Sequence, residues 1–203
     1  MIPVTPKAEP RGFDVAVRNP GKKFLLNNPN PSSRQYDKHK YWQEASEDLR
    51  AAYRGVCAYT CMYIFGPGTV DHFLPKVKYP EHAYEWNNYR LASFRANYHK
   101  NDSTEVIDPF VVQPGWFVLD IPSCLVRPGD HLSKIVFDQV NETIKTLKLN
   151  DDDFFVQERC DIMVEYANGE VNLGFLSRRY PFLAAEIVRQ NIQDTAHLYF
   201  KRR

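Results

Sequence analysis

The chain has 203 residues and a mass of 23.7 kDa, with 43% hydrophobic and 25% charged residues. That is enough apolar material for one globular domain, or one domain with a small appendage. Uncharged runs are short and broken by Pro, Gly or Asn, and the amino terminus (MIPVTPKAEPRGFD) has no apolar h-region, so neither a membrane span nor a secretory signal is expected. Four scattered cysteines (Cys57, Cys61, Cys124 and Cys160) do not make a disulfide framework, and the expected setting is a reducing cytoplasm. Net charge is +1, which does not mark a nucleic-acid binder. Its distribution is uneven: residues 1–102 carry 15 Lys and Arg against 10 Asp and Glu, and residues 103–203 carry 11 against 15. A basic first half suits phosphates and an acidic second half suits another role, although chance fluctuation gives asymmetries of this size.

Residues 1–36 (including NPGKKFLLNNPNPSSRQ) are rich in Pro, Asn and Gly and show no sustained period, which predicts an extended surface arm. From Asp37 to Tyr53, Tyr41, Trp42, Ala45, Leu49, Ala52 and Tyr53 recur at helical spacing, with Asp37 as N-cap and Gly55 as stop. Residues 56–65 (VCAYTCMYIF) read as a strand ending in the turn Gly66-Pro67-Gly68. Thr69–Leu74 and Tyr89–Ala92 read as two further short strands, and about Phe94 to Lys100 as a polar helix. The second half is expected to be mostly helical, with helices over Leu132–Leu147, from Asn150 or Asp151 to about Tyr166, and over Pro181–Ile192. The fold class is α+β, divided into the arm (1–36), a core with its preceding helix (37–102) and a helical extension (103–203).

Chemistry concentrates in residues 53–102. An aromatic, Cys-containing segment precedes Val70-Asp71-His72-Phe73-Leu74-Pro75-Lys76; Asn88-Tyr89-Arg90-Leu91-Ala92 follows, then Asn97 with Lys100 three residues on. Phosphodiester hydrolysis needs a base for water, a cation to neutralise developing charge, and a scaffold that places both. A neutral imidazole is available near pH 7, so His72 is the natural base. Adjacent side chains on an extended chain point to opposite faces, so Asp71 is free to ligate metal while His72 faces the phosphate. The amide oxygen of Asn97 would be a second ligand, and oxygen donors favour Mg²⁺ or Mn²⁺ over Zn²⁺.

This ordered set resembles the HNH (ββα-metal) endonuclease family, over about fifty residues. There an Asp-His pair ends the first strand, an Asn opens the second, and a His or Asn lies on the following helix. The resemblance implies DNA cleavage, and it gives Asn88 the task of holding the His72 loop through backbone hydrogen bonds. It selects Asn97 over His99 as the helix ligand, because two residues on a helix are about 200° apart and only one side chain can face the metal. Lys76, Lys78, Arg90, Arg95 and Lys100 are the expected phosphate contacts, giving salt-dependent, sequence-tolerant affinity.

Many relatives bind a structural Zn²⁺ through two CxxC knuckles. Here Cys57 and Cys61 are spaced Cys-x-x-x-Cys, Ser93 and Ala96 stand where the second pair would be, and a closed site needs four ligands, so no structural zinc is expected. Tyr41, Trp42, Tyr84 and Trp86 are expected in the core rather than in base stacking. Tyr41-Trp42, Tyr53, Cys57-Ala58-Tyr59, Thr143, Leu147, Leu149-Asn150 and Arg159 resemble a bacterial HNH subgroup often encoded beside ATPases in anti-phage defence systems. That implies an effector nuclease controlled by an ATPase partner docking on residues 103–203, with Asp151, Asp152 and Asp153 as the densest acidic cluster. The rival expectations are a non-catalytic HNH scaffold that binds nucleic acid or a partner, and a zinc-binding adaptor.

Overall fold

The computed structural model describes residues 1–200 and combines helices with two separate two-stranded antiparallel sheets, an α+β arrangement. The chain gathers into two compact units. One holds Thr5–Ala58 and Ile64–Thr104; the other holds Met1–Val4, Tyr59–Tyr63 and residues 105–200. No helix among the described residues is long and apolar enough to cross a membrane.

In the first unit, residues expected to form an extended arm are helical instead. A π-helical turn, Asp14–Arg18, runs directly into α1 (Asn19–Asn27), and α2 spans Ser33–Tyr36. Pro20 is tolerated because it sits in the first turn of α1, where its missing N–H costs no intrahelical bond. The stretch is held by tertiary packing. Val17, Gly21 and Phe24 are buried, Phe24 stacks on His39 at 4.0 Å, and Arg18 pairs with Glu9, Asp14 and Glu85. Gly21 has a steric reason to be glycine, since a Cβ there would lie 2.1 Å from Cγ of Tyr84. Gly21→Ala is expected to destabilise the fold by about 1–3 kcal/mol, read by urea denaturation; an unchanged midpoint would show that this packing is loose.

The predicted helix from Asp37 begins later, as a 3₁₀ turn (Tyr41–Ala45) followed by α3 (Ser46–Ala52). Residues 56–65 do not form a regular strand. Cys61 takes a left-handed conformation (φ 56°), which breaks extended pairing, and the Ala58 N–H instead donates to the Leu91 carbonyl at 2.8 Å. Beyond Gly66 and Gly68, both at positive φ, β1 (Thr69–His72) pairs antiparallel with β2 (Tyr89–Ala92), in a register that sets Asp71 opposite Arg90 and His72 opposite Tyr89. Ser93 then caps α4 (Phe94–Lys100), its side chain accepting from the Ala96 N–H at 3.2 Å. Asn101, at φ 45°, ends the helix.

Around this sheet lies an aromatic core. Tyr36, Trp42, Tyr84, Trp86 and Tyr89 are buried and Tyr41 is half-buried; backbone carbonyls accept from Tyr36 (Lys76), Tyr84 (His39) and Trp86 (Lys7), each at 2.8 Å, and from Tyr89 (Ala83) at 3.0 Å. These rings are packing elements, and none is presented as a surface for bases.

In the other unit, the second half, expected to be mostly helical, also contains a hairpin, β3 (Phe117–Asp120) with β4 (Leu125–Pro128). Helices α5 (Lys134–Thr146), α6 (Asp153–Ala167), α7 (Leu173–Arg179) and α8 (Pro181–Arg189) follow. Asn150 bonds both backbone groups of Val126, and buried Arg159 donates to the carbonyls of Cys124 and Leu149, each at 2.7 Å. These residues hold the hairpin to the helices. Asp152 is buried and accepts from the Phe154 N–H at 3.0 Å as N-cap of α6, so the acidic run 151–153 is not a three-residue surface patch.

Candidate active site

A cavity of about 500 Å³ opens in the first unit, between β1, the 3₁₀ turn at Tyr41–Ala45 and α4. Asp71, His72, Lys76 and Asn97 line it, together with Trp42, Phe94, Tyr98 and Asp102. The antiparallel hairpin and the helix that follows it therefore bring three of the predicted chemical groups to one space. His99 lies two residues from Asn97 and is not among the lining residues, as the rotation of a helix requires.

His72 is only 7% exposed, on the cavity's inner wall. Its ring meets Trp42 edge-on at 4.9 Å and Tyr89 at 5.3 Å. Nε2 lies 2.8 Å from the Ala83 carbonyl, an acceptor only, so Nε2 carries the proton and Nδ1 keeps the lone pair. Burial, then the charge of Lys76 and, less strongly, that of Lys100, lowers its pKa to about 3, against the opposing effect of the Ala83 hydrogen bond. The imidazole is neutral in one tautomer with its lone pair on Nδ1, although a pKa this far below 7 makes it a weak base in this state.

Asn88 fixes the loop that follows β1. Its Oδ1 accepts from the Leu74 N–H at 2.8 Å, its Nδ2 donates to the carbonyls of Leu74 (3.0 Å) and His82 (3.1 Å), and its own carbonyl accepts from the Phe73 N–H at 2.9 Å. A single buried amide thus ties both ends of the 73–82 loop. Asn88→Ala leaves the Leu74 N–H and the Leu74 and His82 carbonyls without their side-chain partner, and is expected to cost about 1–3 kcal/mol per buried group left unsatisfied. Amide hydrogen exchange at Leu74 should rise sharply, and exchange as slow as in the parent would remove the clamp role.

Asp71 is 3% exposed, and its Oδ1 accepts from Nζ of Lys100 at 3.1 Å. Lys100 also donates to the His72 carbonyl at 2.9 Å and is itself 1% exposed. Lys100 is therefore not a surface phosphate contact; its contacts with Asp71 and the His72 carbonyl hold its ammonium inside. Arg90 is buried too, with Nη1 on the carbonyls of Asn87 and Tyr89, and it braces the hairpin rather than reaching for a backbone. Lys78 and Arg95 are exposed; Nζ of Lys78 donates to the Asp102 carbonyl at 2.8 Å. Lys76 alone of the predicted cations lines the cavity, its ammonium 5.3 Å above the Trp42 ring. Burial lowers its pKa.

No protein-family model and no curated protein matches the chain. The site is read from its own residues.

The donor chemistry suits a hard divalent cation. Nδ2 of Asn97 donates to Oγ1 of Thr69 at 3.1 Å, so its Oδ1 is the atom that could face a cation. With the Asp71 carboxylate this makes two oxygen donors on the wall of a cavity roomy enough for water, the mixed set that Mg²⁺ or Mn²⁺ takes. Among the described residues, no group of three or more His, Cys, Asp or Glu is placed to hold a metal ion. Cys57 is buried with its Sγ accepting from the Ser93 N–H at 3.4 Å, and Cys61 is buried as well.

Sequence reasoning passed over three contributors to this site. The Ala83 carbonyl sets the His72 tautomer, Trp42 walls the imidazole, and Phe94 with Tyr98 forms the rim. Only the last pair carried a legible signal, aromatic residues at i and i+4 on a polar helix.

Proposed function

We propose that this chain is a metal-dependent endonuclease of the HNH type that hydrolyses DNA phosphodiester bonds. One observation carries the reading: Asp71, His72 and Asn97 line a single cavity, with Lys76 on its wall. His72 takes the proton from water through Nδ1. The Ala83 carbonyl orients the ring, Asn88 holds the loop that supplies that orientation, and Lys76 meets the phosphate charge. Asp71 and Asn97 would hold Mg²⁺ or Mn²⁺, which supplies Lewis-acid stabilisation of the phosphate and leaving oxygen when bound. Supercoiled plasmid incubated with the protein and Mg²⁺ or Mn²⁺ should give nicked or linear product, suppressed by EDTA. A folded protein that leaves both plasmid and single-stranded oligonucleotide intact with every divalent cation tried sinks the proposal. Within the active protein, Asn97→Ala should lose cleavage and His99→Ala should retain it; the reverse pattern would move the ligand to His99.

A second reading is favoured by the Lys100 contact. An ammonium on the Asp71 carboxylate already neutralises the charge a metal would need. On that reading the scaffold binds nucleic acid without cutting it, and gel-shift binding with no product in the plasmid assay is its signature.

Control by an ATPase, as in anti-phage defence, belongs to the same proposal. Asp151 and Asp153 are exposed, whereas Asp152 caps α6, so the informative charge reversals are Asp151→Lys and Asp153→Lys together. They are expected to abolish co-purification of an ATPase from the native host without loss of helix. An unchanged complex would remove this face from the interface.

A further inference from the structure

Helix α4 carries two large aromatic side chains that the fold leaves uncovered. Phe94 is 75% and Tyr98 72% exposed, whereas Tyr36, Trp42, Tyr84, Trp86 and Tyr89 of the same unit are buried. They stand at i and i+4, so they lie on one face of the helix with Cβ atoms about 5–6 Å apart. Both line the same cavity as Asp71, His72 and Asn97. Exposing two such rings has a solvation cost, and their place on the mouth of a polar cavity ties them to whatever enters it.

We infer that Phe94 and Tyr98 form a stacking platform for unpaired bases, and that the substrate reaching His72 is single-stranded DNA. The inference rests on the nuclease reading above and names its substrate class. Three features select this occupant. First, Lys76 lines the same cavity, with its ammonium over Trp42, so a polyanion entering past the rings meets a cation. Second, the spacing of the two rings along the helix accommodates successive bases of a strand, and ring stacking is tolerant of sequence. Third, Asp71 and His72 are 3% and 7% exposed, so the scissile phosphate must be carried inward from the surface. A flexible strand whose bases are free to stack on the rim can bend into the cavity. In a duplex the base faces are already stacked on one another and offer these rings nothing.

The test uses the full chain and 2-aminopurine oligonucleotides, single-stranded or annealed, with EDTA present so that binding is read without cleavage. The parent is expected to quench 2-aminopurine in the single strand and to bind it at least about tenfold more tightly than the duplex. Phe94→Ala and Tyr98→Ala should each weaken single-strand binding on the order of tenfold, and the pair should abolish the quench. Tyr98→Phe, which keeps the ring and drops the hydroxyl, should behave as the parent does. Equal binding of single strand by the parent and the double Ala variant overturns the inference. So does loss of a co-purifying protein from the double variant while DNA binding is unchanged, which would make the rim a protein-docking face. Cleavage by the parent in Mg²⁺, of either plasmid or a single-stranded oligonucleotide, separates the two levels: where cleavage persists, the nuclease reading stands and only the platform falls.

Discussion

Lys100→Met is expected to be among the most destabilising single substitutions in the chain, at about 3–5 kcal/mol. Lys100 is fully buried, with its ammonium 3.1 Å from Oδ1 of Asp71 and 2.9 Å from the His72 carbonyl. Both acceptors sit at the end of β1, so the ammonium knots the last turn of α4 to the strand that carries the chemistry. Methionine keeps most of the length and loses the charge. The variant therefore removes the cation from a buried carboxylate and a buried carbonyl while leaving packing nearly constant. Urea denaturation in EDTA measures the loss directly, and a loss under about 1 kcal/mol would show the pair to be water-accessible. Asp71→Asn combined with Lys100→Met should recover much of the stability, because neither ion is then buried alone. Divalent cation gives a further readout. If Asp71 ligates Mg²⁺, added Mg²⁺ should raise the midpoint of Lys100→Met more than that of the parent, in which the ammonium competes for the carboxylate.

How legible this arrangement is from sequence depends on how local its causes are. The hairpin and helix were readable because each boundary has a short-range reason. Gly66-Pro67-Gly68 turns the chain, β-branched Thr69 and Val70 extend it, and Ser93 caps α4 three residues before the buried Ala96. The first 36 residues misled because their helices are stabilised by distant partners. Val17 is buried and Phe24 packs against Tyr84, and Pro20 and the surrounding Asn residues look like loop chemistry until such partners are in place. One local signal was available there: Ser32 and Gln35 form a reciprocal capping box, an S-x-x-Q pattern at the start of α2. The β3–β4 hairpin had a short apolar run, Phe117-Val118-Leu119, with no Asn-Gly or Gly-Gly turn to mark it; its turn uses Cys124 at φ 56°.

The same distinction holds within the site. Asp71, His72 and Asn97 are set by strand alternation and by one turn of helix, so their order in sequence suggests a shared space. Which way the α4 face turns is a tertiary fact. Spacing places Lys100 on the face of Asn97, yet only packing decides that its ammonium goes beneath β1 instead of toward solvent, and that Phe94 and Tyr98 stay outside. Arg90 shows the same limit: a basic residue in a short strand reads as a surface cation, but opposite Asp71 it is enclosed by the hairpin.

His72→Gln is expected to lower DNA cleavage by on the order of 10²–10⁴-fold, the usual contribution of a positioned general base. Glutamine is the informative replacement. His72 is buried edge-on against Trp42 and Tyr89, so Ala would open a void between two rings and lose packing together with the base. The glutamine amide is long enough to donate to the Ala83 carbonyl in place of Nε2–H, and it has no basic lone pair near neutral pH with which to take a proton. The variant should therefore unfold close to the parent in urea, bind oligonucleotide with unchanged affinity, and fail to cut. Ala83 itself contributes only a carbonyl, which also accepts from the Tyr89 hydroxyl at 3.0 Å, so Tyr89→Phe should loosen this acceptor without touching the base. A modest fall in cleavage for Tyr89→Phe, beside the large fall for His72→Gln, is the pattern of one reacting group and one positioning group. Cleavage by His72→Gln within about tenfold of the parent would remove His72 as the base, and the proton would have to leave by another group on the cavity wall.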